Sequence, residues 1–363
     1  MKIFIPIDIF NEIFLFCDFL TKIRFRQISK FLYNNFHITD FYYIEKKILL
    51  KLTDDILKNH KFIKYLNASN NPKIKDVSWM KNLKELNVCD CKIDQSGIKS
   101  NPLIHDCKID QSGIKGLDLV KLIACHNPKI TDVSWMKNLK ELNGSYSYGI
   151  DQSGIKGLDL VKLHVADNPK ITDVSWMKNL KELTCSYYCG IDQFGIESLD
   201  LIKMNVNNNP KIKCVSWMEN LKELGAFGNC GIDQFGIKGL DLIKLDVNNN
   251  PKIMDVSQMK NLKELKAHGK YCGINQFGIK GSDLIKLNAR NNSKIMDVSQ
   301  MKNLKKLNAS GYSGIDQFGI KGLDLVKLNA SENIKITDIS WMQNLKKLVT
   351  SNGSNLILKK NSL

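Results

Sequence analysis

Ten cysteines are the first candidates for chemistry in this 363-residue chain: Cys17, Cys89, Cys91, Cys107, Cys125, Cys185, Cys189, Cys214, Cys230 and Cys272. Thiolates ligate metals, attack electrophiles or pair as disulfides, and spacing separates these uses. No CxxC pair occurs. Cys91, Cys107, Cys189, Cys230 and Cys272 instead each precede an isoleucine by two residues, a place for a small apolar filler. The histidines, His37, His60, His105, His126, His164 and His268, show no HExxH or other metal-binding spacing. A Walker loop, a GxGxxG and a GxSxG are also missing. The expectation is therefore a protein with no catalytic residues, no metal and no cofactor.

Charge narrows the partner class. The formal net charge is +16, yet only Arg24, Arg26 and Arg290 are arginines. Arginine's planar fork is the favoured reader of phosphates and base edges, so nucleic acid is not an expected partner. The apolar first twenty residues are interrupted by Pro6, Asp8, Asn11, Glu12 and Asp18, which argues against a signal peptide. No run of eighteen apolar residues exists, so no membrane span is expected. A cytoplasmic location is the default.

Internal repetition sets the architecture. The string NPKITDVSWMKNLKEL at 127–142 returns at 168–183, and GIDQSGIKGLDLVKL at 149–163 alternates with it. Both carry one template: Leu160-x-x-Leu163-x-Val165-x-x-Asn168-x-x-Ile171. It resembles the leucine-rich repeat, in which each turn gives one short strand to a parallel sheet. The anchors are Leu66, Leu86, Leu122, Leu142, Leu163, Leu183, Met204, Leu224, Leu245, Leu265, Leu287, Leu307, Leu328 and Leu348. About fourteen units follow, as an α/β solenoid: a horseshoe or arc with one parallel sheet on its concave face, preceded by a small all-α N-terminal module. The step from Leu86 to Leu122 is irregular because Asp90–Lys99 and Asp106–Lys115 are the same ten residues, DCKIDQSGIK. Pro102 then falls where a strand leucine belongs, so a degenerate turn or a bulging loop is expected there.

Side chains alternate along a strand, so the leucines point inward and their neighbours outward. Asn71, Asn127, Asn168, Asn209, Asn250, Asn292 and Asn333 fall just past each strand and read as a structural ladder satisfying backbone groups. Met80, Met136, Met177, Met218, Met259, Met301 and Met342 read as buried fillers. The neighbouring Trp79, Trp135, Trp176, Trp217 and Trp341 give way to Gln258 and Gln300, which leaves surface cover and a docking strip both open. Cysteines of like position should lie two strands apart, roughly 9.6 Å at about 4.8 Å per strand. That is too far for a disulfide, so free thiols in a reducing compartment are expected.

On the concave face the third template position alternates, Lys121, Glu141, Lys162, Glu182, Lys203, Glu223, Lys244, Glu264, which predicts a neutralised stripe. The alternation then stops at Lys286, Lys306, Lys327 and Lys347, with Arg290 close by. Those five residues are the candidate partner-binding patch, suited to an acidic protein; simple drift in a lysine-rich chain would leave the same pattern.

Residues 5–32, IPIDIFNEIFLFCDFLTKIRFRQISKFL, resemble the F-box. Ile5-Pro6 stands at its LP, Asp8 at its acid, Ile9 at the following aliphatic, Ile13-Phe14 at its IF, Arg26 near its basic position and Ile28-Ser29-Lys30 at V-C/S-K. Cys17, Thr21-Lys22 and Leu32 depart from the pattern. The resemblance implies a Skp-type adaptor as one partner, bound through Ile5, Pro6, Ile9, Ile13, Phe14 and Ile28. It implies a substrate-recognition subunit of a cullin–RING ubiquitin ligase, with the repeats holding an unknown target. The alternative is an interaction scaffold whose N-terminal helices only cap the solenoid. The regular repeats and Asn/Lys/Ile bias also resemble repeat proteins of large amoeba-infecting DNA viruses, which would place the protein in host cytoplasm. The expected organisation is 1–36 F-box-like, 37–61 helical linker or cap, 62–355 solenoid (irregular at 90–116) and 356–363 tail.

Overall fold

The computed structural model describes residues 7–89, 107–351 and 357. Ile5, Pro6, Cys91 and Pro102 lie outside them. Packing divides the chain into two compact units, Met1–Leu163 and His164–Leu363.

The first unit begins with helices α1 (Ile7–Phe16), α2 (Phe19–Gln27) and α3 (Lys30–Asn35). Asp18 and Ser29 cap α2 and α3 by accepting the N–H of Thr21 and Leu32, as N-cap side chains do. Phe14 is buried, with its ring 5.6 Å from Phe25 and 5.4 Å from Phe36. The linker is not wholly helical. It opens with strand β1 (Asp40–Phe41), then short helices α4 (Lys46–Leu49) and α5 (Asp54–Lys58). Phe41 pairs in parallel with Leu66 of β2 (Tyr65–Asn67), so the sheet starts one strand before the first leucine anchor. An apolar pair was enough to recruit it, and a two-residue strand leaves no periodicity to read.

β3 (Glu85–Asn87), β4 (Lys121–Ile123) and β5 (Glu141–Asn143) follow in parallel, and Leu66, Leu86, Leu122 and Leu142 meet in register. β6 (Lys162–His164) closes this stretch. Direct pairing of Leu86 with Leu122 means the 36-residue step contributes no strand among the described residues. The second copy of the duplicated decamer supplies the turn: Cys107 and Ile109 are buried and Ser112–Ile114 forms a 3-10 helix. Cys107 and Ile109 hold the places that Cys189 and Ile191 hold in a later turn.

The second unit holds β7 (Glu182–Thr184), β8 (Lys203–Asn205), β9 (Glu223–Gly225), β10 (Lys244–Asp246), β11 (Glu264–Lys266), β12 (Lys286–Asn288), β13 (Lys306–Asn308), β14 (Lys327–Asn329) and β15 (Lys347–Val349). They pair in parallel in chain order, with Leu or Met opposite Leu at every step. Each anchor is buried except Leu348, which has no further strand to cover it among the described residues. Beyond β15, Ile357 bridges back to Asp338. The fold is a leucine-rich-repeat solenoid in each unit.

The turn after alternate strands explains the asparagine ladder. In the second unit the residue before each ladder asparagine has positive φ, as in Asn208 (54°), Asn249 (50°) and Asn291 (54°), a conformation asparagine tolerates. The ladder side chain then faces inward. Asn250 Nδ2 donates to the carbonyls of Ala226 (2.8 Å) and Ile232 (3.2 Å), while its Oδ1 accepts the N–H of Lys252 (2.9 Å). Asn127, Asn209, Asn292 and Asn333 repeat this, and Asn71 reaches Leu49 and Leu52. In the intervening turns the Cys107 and Cys272 thiols, two residues before their isoleucines, and the Ser147 hydroxyl, three before Ile150, donate to backbone carbonyls.

One expectation fails. Cys89 and Cys125 are joined as a disulfide, with Cα atoms 4.7 Å apart. They follow β3 and β4 at equivalent positions, one strand apart, not two. That places them inside disulfide range. Cys17, Cys185, Cys189, Cys214, Cys230 and Cys272 are free thiols, but the set no longer argues for a reducing compartment.

Candidate functional site

Strand geometry gives every turn one inward leucine flanked by two outward side chains, so the outward rows form the sheet's solvent face. On that face the alternating row is paired. In the first unit Glu141 lies 3.4 Å from Lys121 and 3.7 Å from Lys162. In the second, Lys203 lies 4.0 Å from Glu182 and 3.8 Å from Glu223, and Lys244 is 2.9 Å from Glu223. The Glu223 carboxylate pushes the Lys244 ammonium up, first by hydrogen bonding and then by charge.

Lys286 takes the last glutamate, Glu264, as its partner. Beyond it Lys286, Lys306, Lys327 and Lys347 stand opposite one another in register on β12–β15. No carboxylate of a described residue pairs with Lys306, Lys327 or Lys347. They line a shallow concavity of about 380 Å³, with Asn288, Asn308 and Asn329 in the next outward row. Arg290 is exposed just past β12. Parallel strands spaced about 4.8 Å apart thus stack unpaired ammonium groups, a field that attracts carboxylates.

A second concavity, about 380 Å³, covers β7–β11 and mixes His164, Thr184, Asn205 and Asp246 with the paired Lys and Glu residues. Its charges already satisfy one another, so it offers shape without a net field.

The F-box-like positions separate into two groups. Ile9, Ile13 and Ile28 are exposed, at 47%, 46% and 71%, and Phe16 and Leu20 join them as exposed apolar side chains. Phe14 is only 7% exposed and belongs to the module's aromatic core. An i, i+4 pair such as Ile9 and Ile13 shares one helix face, and Phe14 lies off it.

Two features of the opposite wall escaped the sequence reading. In the D/N-Q-S/F-G turns Gln111, Gln193, Gln234, Gln276 and Gln317 each reach across the gap to the next turn. Gln276 accepts the N–H of Met296 and of Asp297 (2.9 Å each) and donates to the Asp297 carbonyl (2.8 Å). The following glycine cannot carry a side chain, because a Cβ on Gly278 would overlap the carbonyl of Met254. The change from Ser to Phe inside this motif was its only signal. It leaves Phe194, Phe235, Phe277 and Phe318 about 80% exposed. Tryptophan serves as cover: the indoles of Trp135, Trp217 and Trp341 donate to the carbonyls of Leu117, Leu199 and Leu323.

Among the described residues no cluster of His, Cys, Asp or Glu could hold a metal ion, and no helix is long and apolar enough to cross a membrane.

No protein-family model matches the chain, and no curated protein matches it. Solved structures are similar to it. The Rad7–Elc1 complex of yeast shares 15% identity over 86% of this chain and 85% of the other, with a TM-score of 0.42. A leucine-rich-repeat protein of Leptospira interrogans shares 16% over 86% and 76%, with a TM-score of 0.37. The mouse RP105/MD-1 complex shares 14% over 86% and 70%, with a TM-score of 0.42. These are likenesses of fold.

Proposed function

We propose that this protein is a non-catalytic interaction receptor whose sheet face binds an acidic protein partner at Lys306, Lys327 and Lys347, with Lys286 and Arg290 beside them. The observation that carries this reading is the change along one row, from lysines held between glutamates to lysines with none. A neutralised row presents no net field, whereas a stack of unpaired ammonium groups steers and retains carboxylates. The finer reading makes the N-terminal helices an F-box-type module that docks a Skp-type adaptor through Ile9, Ile13 and Ile28, with Ile5 and Pro6 outside the described residues. The chain would then present its acidic target to a cullin–RING ubiquitin ligase. The exposed apolar side chains on α1 favour it.

A specific observation favours the capping alternative. Phe19 of α2 packs edge-on against Phe41 at 5.1 Å, and Phe41 pairs with the first repeat. Titration calorimetry with a purified Skp-type adaptor and with a glutamate-rich peptide tests both parts. The receptor reading expects both to bind, and expects Lys306→Glu/Lys327→Glu/Lys347→Glu to lose the peptide alone. A chain that ignores the adaptor is a capped scaffold. A triple variant that holds the peptide unchanged removes the lysine row from the function.

A further inference from the structure

Burying a guanidinium removes its hydration, and proteins normally return that loss through a carboxylate or a full set of acceptors. Arg26 on α2 has neither. It is only 7% exposed, yet no carboxylate of a described side chain lies within ion-pairing distance. Its Nη2 donates to the Tyr33 carbonyl at 3.2 Å, and its Nη1 meets His60 Nδ1 at 3.4 Å. The guanidinium stacks 4.4 Å over the Tyr33 ring. Nε is buried with no acceptor.

This group lines a cavity of about 360 Å³ between α3, the end of α5 and the chain leading into β2. Lys58, Lys61, His37, His60 and Asn34 share the lining, which contains no acidic residue. Lys58 has an exposed contact with Asp55 at 3.8 Å, outside the lining. His37 is stacked on Phe62, ring centroids 4.1 Å apart, which fixes one wall. A buried guanidinium, two lysines and two histidines therefore line one half-open cavity that has no acidic residue in its lining. We infer that this cavity is a binding site for a small phosphate-class oxyanion, either inorganic phosphate or the phosphate of a small monoester. Guanidinium supplies the directed hydrogen bonds and the lysines supply charge from the rim.

The site shares no residue with the lysine row or with the exposed face of α1. Its imidazoles give it a second signature. Burial, then the Arg26 charge, holds both His37 and His60 below the ordinary histidine value. An anion between them would favour their protonated forms, so binding takes up protons and strengthens as pH falls.

The experiment uses the full chain. Isothermal titration with sodium phosphate and with glycerol phosphate, at constant ionic strength in chloride, should give saturable one-site binding. At equal concentration of the same anion charge form, the ligand's own second ionisation at about pH 6–7 being accounted for, binding should be tighter at pH 6 than at pH 8. Binding by phosphate alone identifies the free ion as the ligand, and binding by both admits the monoester. Lys58→Ala/Lys61→Ala changes two rim side chains and should fold normally; it should weaken binding about tenfold, equivalent to about 1.4 kcal/mol. Arg26→Met keeps the side-chain length, discards the buried charge and should abolish binding. Phosphate that behaves as chloride does, or undiminished binding by the double-lysine variant, overturns the inference.

Discussion

Gln234 and Asp255, one turn apart, are joined as a backbone pair would be: Gln234 Nε2 donates to the Asp255 carbonyl at 2.8 Å, and its Oε1 accepts the Asp255 N–H at 2.9 Å. The same oxygen accepts the Met254 N–H at 3.0 Å. Near neutral pH, where carboxyl groups are ionised and only accept, a primary amide offers donor and acceptor side by side. Gln234→Ala should cost about 1–3 kcal/mol by leaving these backbone groups without partners. Gln234→Glu should also destabilise near neutral pH, since a carboxylate cannot donate to the carbonyl. Urea midpoints of both variants check this; an unchanged midpoint for the alanine variant would show that water replaces the amide at no cost.

Two neighbouring residues in the same motif should respond in opposite ways. A Cβ on Gly236 would overlap the Lys213 carbonyl, and Gly236 itself accepts the Val215 N–H at 2.9 Å. Gly236→Ala must push two turns apart, a cost of about 1–3 kcal/mol. Phe235, 80% exposed, should tolerate the serine that stands at the equivalent Ser153, with a change within about 0.5 kcal/mol. Thermal denaturation distinguishes them.

The asparagine ladder gives a matched pair within one turn. Asn209→Ala deprives the carbonyls of Cys185 and Ile191 and the N–H of Lys211, with an expected loss of about 1–3 kcal/mol. Lys203→Ala removes only long ion pairs, 4.0 Å and 3.8 Å, on the solvent face and should cost less than about 1 kcal/mol. Denaturant midpoints in the reverse order would contradict the register of β8.

In the N-terminal module, burial separates binding from stability. Phe14→Ala opens the Phe25–Phe36 cluster and should destabilise the module by about 3–5 kcal/mol. Ile9→Ala/Ile13→Ala, on the exposed face, should leave melting almost unchanged while weakening any Skp-type adaptor complex. Adaptor affinity that survives the double change would locate the contact elsewhere.

Acid should loosen the same module. His37 and His60 have folded pKa values depressed chiefly by burial and then by Arg26, with Lys58 and Lys61 as the other charges around them. The unfolded chain takes up these protons first, near the ordinary value of about 6.5. Stability is therefore full above that value and declines as pH falls below it. Urea midpoints should drop between pH 7.5 and pH 5, and less so in His60→Phe. An equal drop in that variant would assign the acid sensitivity to other groups.

The sequence alone determined the parts of this protein that depend on local pattern. Leu163 and Leu224 are buried, the strands pair in parallel, Asn209 and Asn250 serve the backbone, and the Lys–Glu row neutralises itself. All four follow from period-two alternation repeated at a fixed interval, since a stacked turn has its environment set by identical neighbours. Contacts between residues that no repeat relates were decided only by tertiary structure. Cys89 reaches Cys125, 36 positions along the chain, because the intervening segment adds no described strand between β3 and β4, a distance that chain length misstates. Phe14 turned inward, away from Ile9 and Ile13, because Phe25 and Phe36 were there to receive it. Arg26 came to lie beside His60, 34 residues along the chain, through the packing of α2 against the segment after α5. Periodicity encodes what faces the core. Only the folded chain fixes which one-off side chains meet, because such contacts depend on distances that no pattern in the sequence measures.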